Sequence, residues 1–198
     1  MAKVIQFPVP SPERFGFKPV RKQKAATPKK GAQLNLFTGA KVVSLNQLTT
    51  FEEALTLDEM GDPKAREVYV KAIQEGENKA DAYCNLGILE SNQRNFTKAI
   101  DCFTKSLKED PRHFESHYNL ANLYSEAGNL PLAKVHYQIS IEIEPEFPNS
   151  YFNLAITLAM NKEVDEAIQN LMIYRNLVSA EDQQQADELI NNLSRTLS

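Results

Sequence analysis

His113 and His117 lie four residues apart, the spacing that sets two imidazoles on one face of a helix, where they could share a metal ion. Against that chemistry, His113 follows Pro111, and His117 takes a position held 34 residues to either side by Tyr83 and Tyr151. Packing is therefore the role expected of both. Cys84 and Cys102 lack the four-ligand spacing of a zinc site, and no His or Lys is arranged beside them to depress a thiol pKa. No Ser, His and acid constellation can be picked out, and seven glycines supply neither a phosphate loop nor a dinucleotide fingerprint. The expectation is a chain with no catalytic residue, no metal centre and no cofactor. What does recur is amide chemistry: Asn85, Asn119 and Asn153 stand at one register, 34 residues apart. Asparagine is a poor helix former, so its return at one position calls for a hydrogen-bonding reason.

The elements that must carry these amides follow from the same period. Tyr83, Leu86, Gly87, Ala99, Phe103, Ser106 and Pro111 fall on His117, Leu120, Ala121, Ala133, Tyr137, Ser140 and Pro145. A third copy supplies Tyr151, Leu154, Ala155, Ala167, Leu171, Tyr174 and Ser179. Each copy reads as two antiparallel helices, with small residues at the crossing, large apolar ones filling the gaps and a proline ending the second helix. Asn95, Asn129 and Glu163 sit in the intervening turns, where Gly128 suits a left-handed position that Arg94 and Lys162 reach less easily. An earlier copy is legible in Phe51, Ala54, Leu57 and Gly61, then Ala65, Tyr69 and Ala72, although Glu77 stands where proline is expected. Ser44 or Asn46 is the expected cap of its first helix. Ser179 and Asp182 suit a capping box for a last helix presenting Ala186, Leu189, Ile190, Leu193 and Leu197.

The pattern resembles the tetratricopeptide repeat, whose 34-residue period and small, aromatic and proline positions these residues carry. The expected fold class is all-α: a solenoid of about four helix pairs with a C-terminal capping helix, preceded by a disordered basic arm. The expected domains are 1–43 for the arm and 44–198 for the repeats. Within the latter, repeats fall at about 46–79, 80–113, 114–147 and 148–179, and the capping helix at about 180–197.

That resemblance implies a concave surface lined by the first helix of each copy. The peptide-binding residues it implies are Asn85, Asn119 and Asn153, then Ile88, Asn122 and Ile156, then Cys84, Tyr118 and Phe152. Side-chain amides both donate and accept, which suits the backbone of an extended peptide, while the apolar neighbours take its side chains. The alternative is that the asparagines reflect shared ancestry of the copies. The family's carboxylate clamp uses Lys and Arg where this chain has Cys84, Asn149 and Asn153, so a clamp is not expected.

Charge divides the chain. Residues 1–43 hold nine Lys or Arg against the single acid Glu13, a net of +8, whereas the remainder carries −12. Five of the ten prolines fall in residues 1–30, and no periodic apolar face accompanies them, so this arm cannot offset its ordering entropy. Its basic stretch, residues 18–30, could contact nucleic acid weakly, fold back on the acidic remainder, or stay solvated. Gln33, Leu34, Leu36 and Phe37 resemble the short motif by which bacterial replication and repair proteins dock on the sliding clamp; Asn35 departs from it. The other reading is an internal staple against the first repeat. The start of the chain has no signal-peptide apolar region, and no stretch is long enough to span a membrane. A cytoplasmic setting is expected. The leading function is a non-enzymatic adaptor for a protein or peptide partner of unknown identity. The alternative is a DNA-associated accessory or regulatory protein recruited through its basic arm and the clamp-like motif at Gln33 to Phe37.

Overall fold

The computed structural model describes Pro19 and residues 48–197. Apart from Pro19, the arm lies outside the described residues, and with it Gln33, Leu34, Leu36 and Phe37, the basic stretch, and Ser44 and Asn46. Among the described residues the chain is helical throughout, with no strand. The helices are α1 (Thr50–Glu59), α2 (Ala65–Glu75), α3 (Lys79–Asn92), α4 (Phe96–Glu109), α5 (Phe114–Glu126), α6 (Leu130–Ile143), α7 (Pro148–Met160), α8 (Val164–Leu177) and α9 (Ala180–Leu197). They fall into two units, one ending at His113 and one beginning at Phe114.

In the unit of α1 to α4, α1 packs on α2, α2 on α3, and α3 on α4. The cap of α1 is Thr49 rather than Ser44 or Asn46. Its side chain accepts from the Glu52 N–H while the Glu52 carboxylate accepts from the Thr49 N–H, a reciprocal capping box. Glu77 has a role of its own where proline was expected: its carboxylate accepts the Phe51 N–H at 3.1 Å, closing the start of α1. The stop that proline would give α2 comes instead from left-handed Gly76, with the Glu77 N–H bonded to the Ala72 carbonyl at 2.9 Å. Phe51, Ala54, Leu55, Ala65, Tyr69, Ala72 and Ala82 form the apolar centre here. At the α3/α4 crossing, a Cβ on Gly87 would lie 2.7 Å from the Phe103 ring, which explains glycine where the later copies have alanine.

In the unit of α5 to α9, α5 packs on α6, α6 on α7, α7 on α8, and α8 on α9. The turns behave as their sequences require. Gly128 takes φ 75° and Lys162 is forced to 67°, as Arg94 of the first unit is to 61°, and Asn129 caps α6 by accepting from the Leu132 N–H. Ser140 at the end of α6 meets Ser150 of α7, hydroxyl to hydroxyl, at 2.8 Å. The last helix buries Ala186, Leu189 and Leu193, with Ile190 half-buried. Its other side keeps Gln184 exposed and pairs Asp187 with Arg175 of α8 at 2.6 Å. The Ser179 hydroxyl donates to the Asp182 carboxylate at 3.3 Å.

Candidate peptide-binding face

Helices α3, α5 and α7 carry the asparagine row, and α2 and α6 each present a tyrosine to its amides or their neighbours. In the first unit the Asn85 amide of α3 donates to the Tyr69 hydroxyl of α2 at 3.2 Å, and that hydroxyl donates onward to Asp58 of α1 at 3.0 Å. Burial holds the Asp58 carboxyl above its usual range, against the opposing pull of the Tyr69 hydrogen bond. Burial likewise pushes the Tyr69 hydroxyl far up, with the Asp58 charge adding to the effect.

The second unit holds a denser version. The Tyr137 hydroxyl of α6 donates to Asn122 Oδ1 of α5 at 2.6 Å. Asn153 Nδ2 of α7 donates to the same oxygen and to the Tyr118 hydroxyl, both at 3.0 Å. Tyr118 is pushed up to about 12 by burial, and Tyr137 rises well above its ordinary value for the same reason. Asn153 itself is fully buried, yet its Oδ1 has no hydrogen-bond partner. Around this network Phe147 stands edge-on to Phe114 at 5.0 Å and to Tyr118 at 5.1 Å between ring centroids.

Of the nine residues expected to line the face, Cys84, Asn85, Tyr118, Asn119, Asn122, Phe152, Asn153 and Ile156 are buried, and Ile88 is half-buried. The amide donors of Asn85 and Asn153 go to tyrosine hydroxyls of the protein itself. Sequence reasoning did not reach Tyr69, Tyr137 and Phe147 as partners of this face. Tyr69 and Tyr137 are 68 residues apart, twice the period, so a tyrosine at the register preceding each asparagine was the available signal; Phe103, midway, lacks the hydroxyl.

The residues weighed for chemistry go elsewhere. His113 Nε2 lies 2.9 Å from Asp81, and His117 Nδ1 lies 3.0 Å from His136 Nδ1, so the two histidines four apart take different partners. His136 is held down to about 4, mainly by burial and further by His117, which leaves its imidazole neutral at neutral pH. Both cysteines are buried, and burial raises the Cys102 thiol to about 11, with Asp101 and Glu90 adding to it. That is the reverse of an activated nucleophile. Glu90, almost fully buried, is ion-paired with Arg66 and accepts from the Asn95 amide at 3.0 Å. Among the described residues no group of three or more His, Cys, Asp or Glu could hold a metal ion, and no helix is long and apolar enough to cross a membrane.

Known proteins place this architecture. Family models described as tetratricopeptide repeat match residues 80–113, and again residues 102–134 and 136–169. No curated protein sequence matches the chain. Similar solved structures include the first such domain of Spaghetti (RPAP3) bound to the HSP90 peptide SRMEEVD, with 19% identity, 60% of this chain and 93% of that chain covered, and a TM-score of 0.56. The double mutant of MamA RS-1 is similar at 16% identity, with 74% and 82% covered and a TM-score of 0.65. The TPR2B domain of yeast Sti1, in its complex with pHsp70, is similar at 20% identity, with 60% and 98% covered and a TM-score of 0.54. By repeat sequence over residues 80–134 and 136–169, and by the fold of its helix pairs, this part of the chain consists of tetratricopeptide repeats.

Proposed function

We propose that the protein is a non-enzymatic adaptor that holds an extended peptide segment against the asparagine-bearing first helices of its repeats. The observation that carries this reading is the Asn153 amide. Its nitrogen is satisfied by Tyr118 and Asn122, while its oxygen is buried and unpaired, a condition that costs roughly 1–3 kcal/mol. A peptide N–H reaching that oxygen removes the penalty, which requires the face to part, because Asn153, Tyr118, Phe152 and Ile156 are all buried. Two of the similar structures hold chaperone peptides, which supports a peptide as the class of ligand. Their chaperone tails are not the expected ligand here, because Cys84, Asn149 and Asn153 supply no cation at the clamp positions. Lys18 to Lys30 and the motif at Gln33 to Phe37 lie outside the described residues, and no observation among the described residues favours the DNA-associated alternative.

The test is selection from a random peptide display library on the full chain, followed by affinity measurement of the selected peptides. Each amide bond contributes about 0.5–1.5 kcal/mol net, so replacing Asn85, Asn119 and Asn153 together by Ala should weaken binding by roughly tenfold or more. Because Asn85 and Asn153 also bond tyrosines, Ile88→Ala, at the half-buried position among those expected to line the face, serves as a second variant that removes apolar contact. Selected peptides that bind both folded variants as tightly as the parent chain would sink the reading.

A further inference from the structure

We propose that His117 and His136 form a two-imidazole site for a divalent transition metal of the copper and zinc class, set between α5 and α6. The two Nδ1 atoms are 3.0 Å apart, with ring centroids at 5.2 Å and ring planes inclined by 34°. Each histidine stands on a helix of one packed pair, so the separation is fixed by the backbone rather than by a loop. Metal–imidazole bonds of about 2.0–2.1 Å place two nitrogens about 2.8 Å apart at a right angle and about 3.4 Å apart at the tetrahedral angle. The observed 3.0 Å lies inside that range, and a modest rotation of each ring turns its lone pair from the other nitrogen toward a common point.

Further features suit such a site. Tyr124 of α5 lies stacked on His136, its ring centroid 5.6 Å away and its plane within 28°, which orients that imidazole. His117 is buried while His136 is half-buried, so the pair is covered on one side and open to solvent on the other. Without a metal, one ring donates its Nδ1 proton to the lone pair of the other. When an ion binds, that proton moves to Nε2 of the same ring, both Nδ1 lone pairs go to the metal, and no net proton is released. Two protein ligands leave the remaining positions to water, which makes the site exchangeable, with copper held more tightly than zinc.

The experiment titrates the full chain with Cu²⁺ and with Zn²⁺ from a weak buffering ligand, following affinity by calorimetry and copper coordination by electron paramagnetic resonance. The parent chain should bind one equivalent with two imidazole nitrogens on copper. His136→Phe, which keeps a ring against Tyr124, should weaken binding at least roughly tenfold, and His136→Gln should do the same. His113→Gln, whose imidazole is engaged with Asp81, should leave the affinity unchanged. Equal affinity in either folded His136 variant, loss of the site in His113→Gln, or no binding below roughly 100 µM would overturn the proposal and leave the pair as a hydrogen bond only.

Discussion

The side chains that decide this protein's interior are polar ones in apolar surroundings. Tyr137 gives its proton to Asn122 at 2.6 Å inside a fully buried contact, whereas Asn122 also receives the Asn153 amide. Tyr137→Phe should therefore cost only about 0.5–1.5 kcal/mol in urea unfolding, since no acceptor is orphaned by the change. A loss several times larger would mean that the hydroxyl positions the helix. Tyr118 sets a pH dependence. Its hydroxyl sits near 12 when folded against about 10 when unfolded, so the folded state holds the proton more tightly. That contribution, on the order of 2–3 kcal/mol, is fully present below pH 10 and is lost as pH rises from 10 toward 12. Unfolding titrations between pH 9 and 11.5 should show a shallower decline for Tyr118→Phe than for the parent chain. Identical slopes would assign the alkaline sensitivity to other groups.

Helices explain the positions at which the repeat pattern is broken. Gly87 replaces alanine at the α3/α4 crossing because a methyl there would meet the fully buried Phe103 ring at 2.7 Å. Gly87→Ala gains about 1 kcal/mol of helix propensity and incurs about 1–3 kcal/mol of overpacking, so thermal melts should show a net loss. A stabilised Gly87→Ala would show that Phe103 moves freely. At α5, Leu120 is buried, and Leu120→Ala should lower stability by about 2–5 kcal/mol. An effect near zero would contradict its placement at the helix-pair contact. These substitutions probe the part of the fold that was legible in sequence: a small residue, an aromatic residue and a leucine repeating at fixed register announce where two helices touch. The cap of α1 was not legible, because Ser44 with Gln47 and Thr49 with Glu52 both fit a capping box, and only the folded chain shows that the helix starts at Thr50.

For the molecule as a whole, repeat proteins gain stability from each helix pair and its neighbour, so the ends matter as much as the middle. In the second unit α9 covers α8, burying Ala186, Leu189 and Leu193 with Leu171 and Tyr174. Deleting residues 180–198 should bare that surface and produce a chain that aggregates or melts well below the parent, as light scattering during a thermal ramp would reveal. A monomeric, equally stable truncation would show that α9 is dispensable. The sequence by itself determined the helix pairs, their 34-residue spacing and the left-handed turns at Arg94, Gly128 and Lys162, because those depend on local propensity and on side chains repeated at a constant interval. Only the tertiary structure decided which polar atoms meet. The bonds from Asn85 to Tyr69 and from Asn153 to Asn122 and Tyr118 join residues 16, 31 and 35 positions apart, and the pairing of His117 with His136 crosses 19. A period shows that such residues recur on a face, whereas a hydrogen bond needs the distance and angle between two faces, which packing alone fixes.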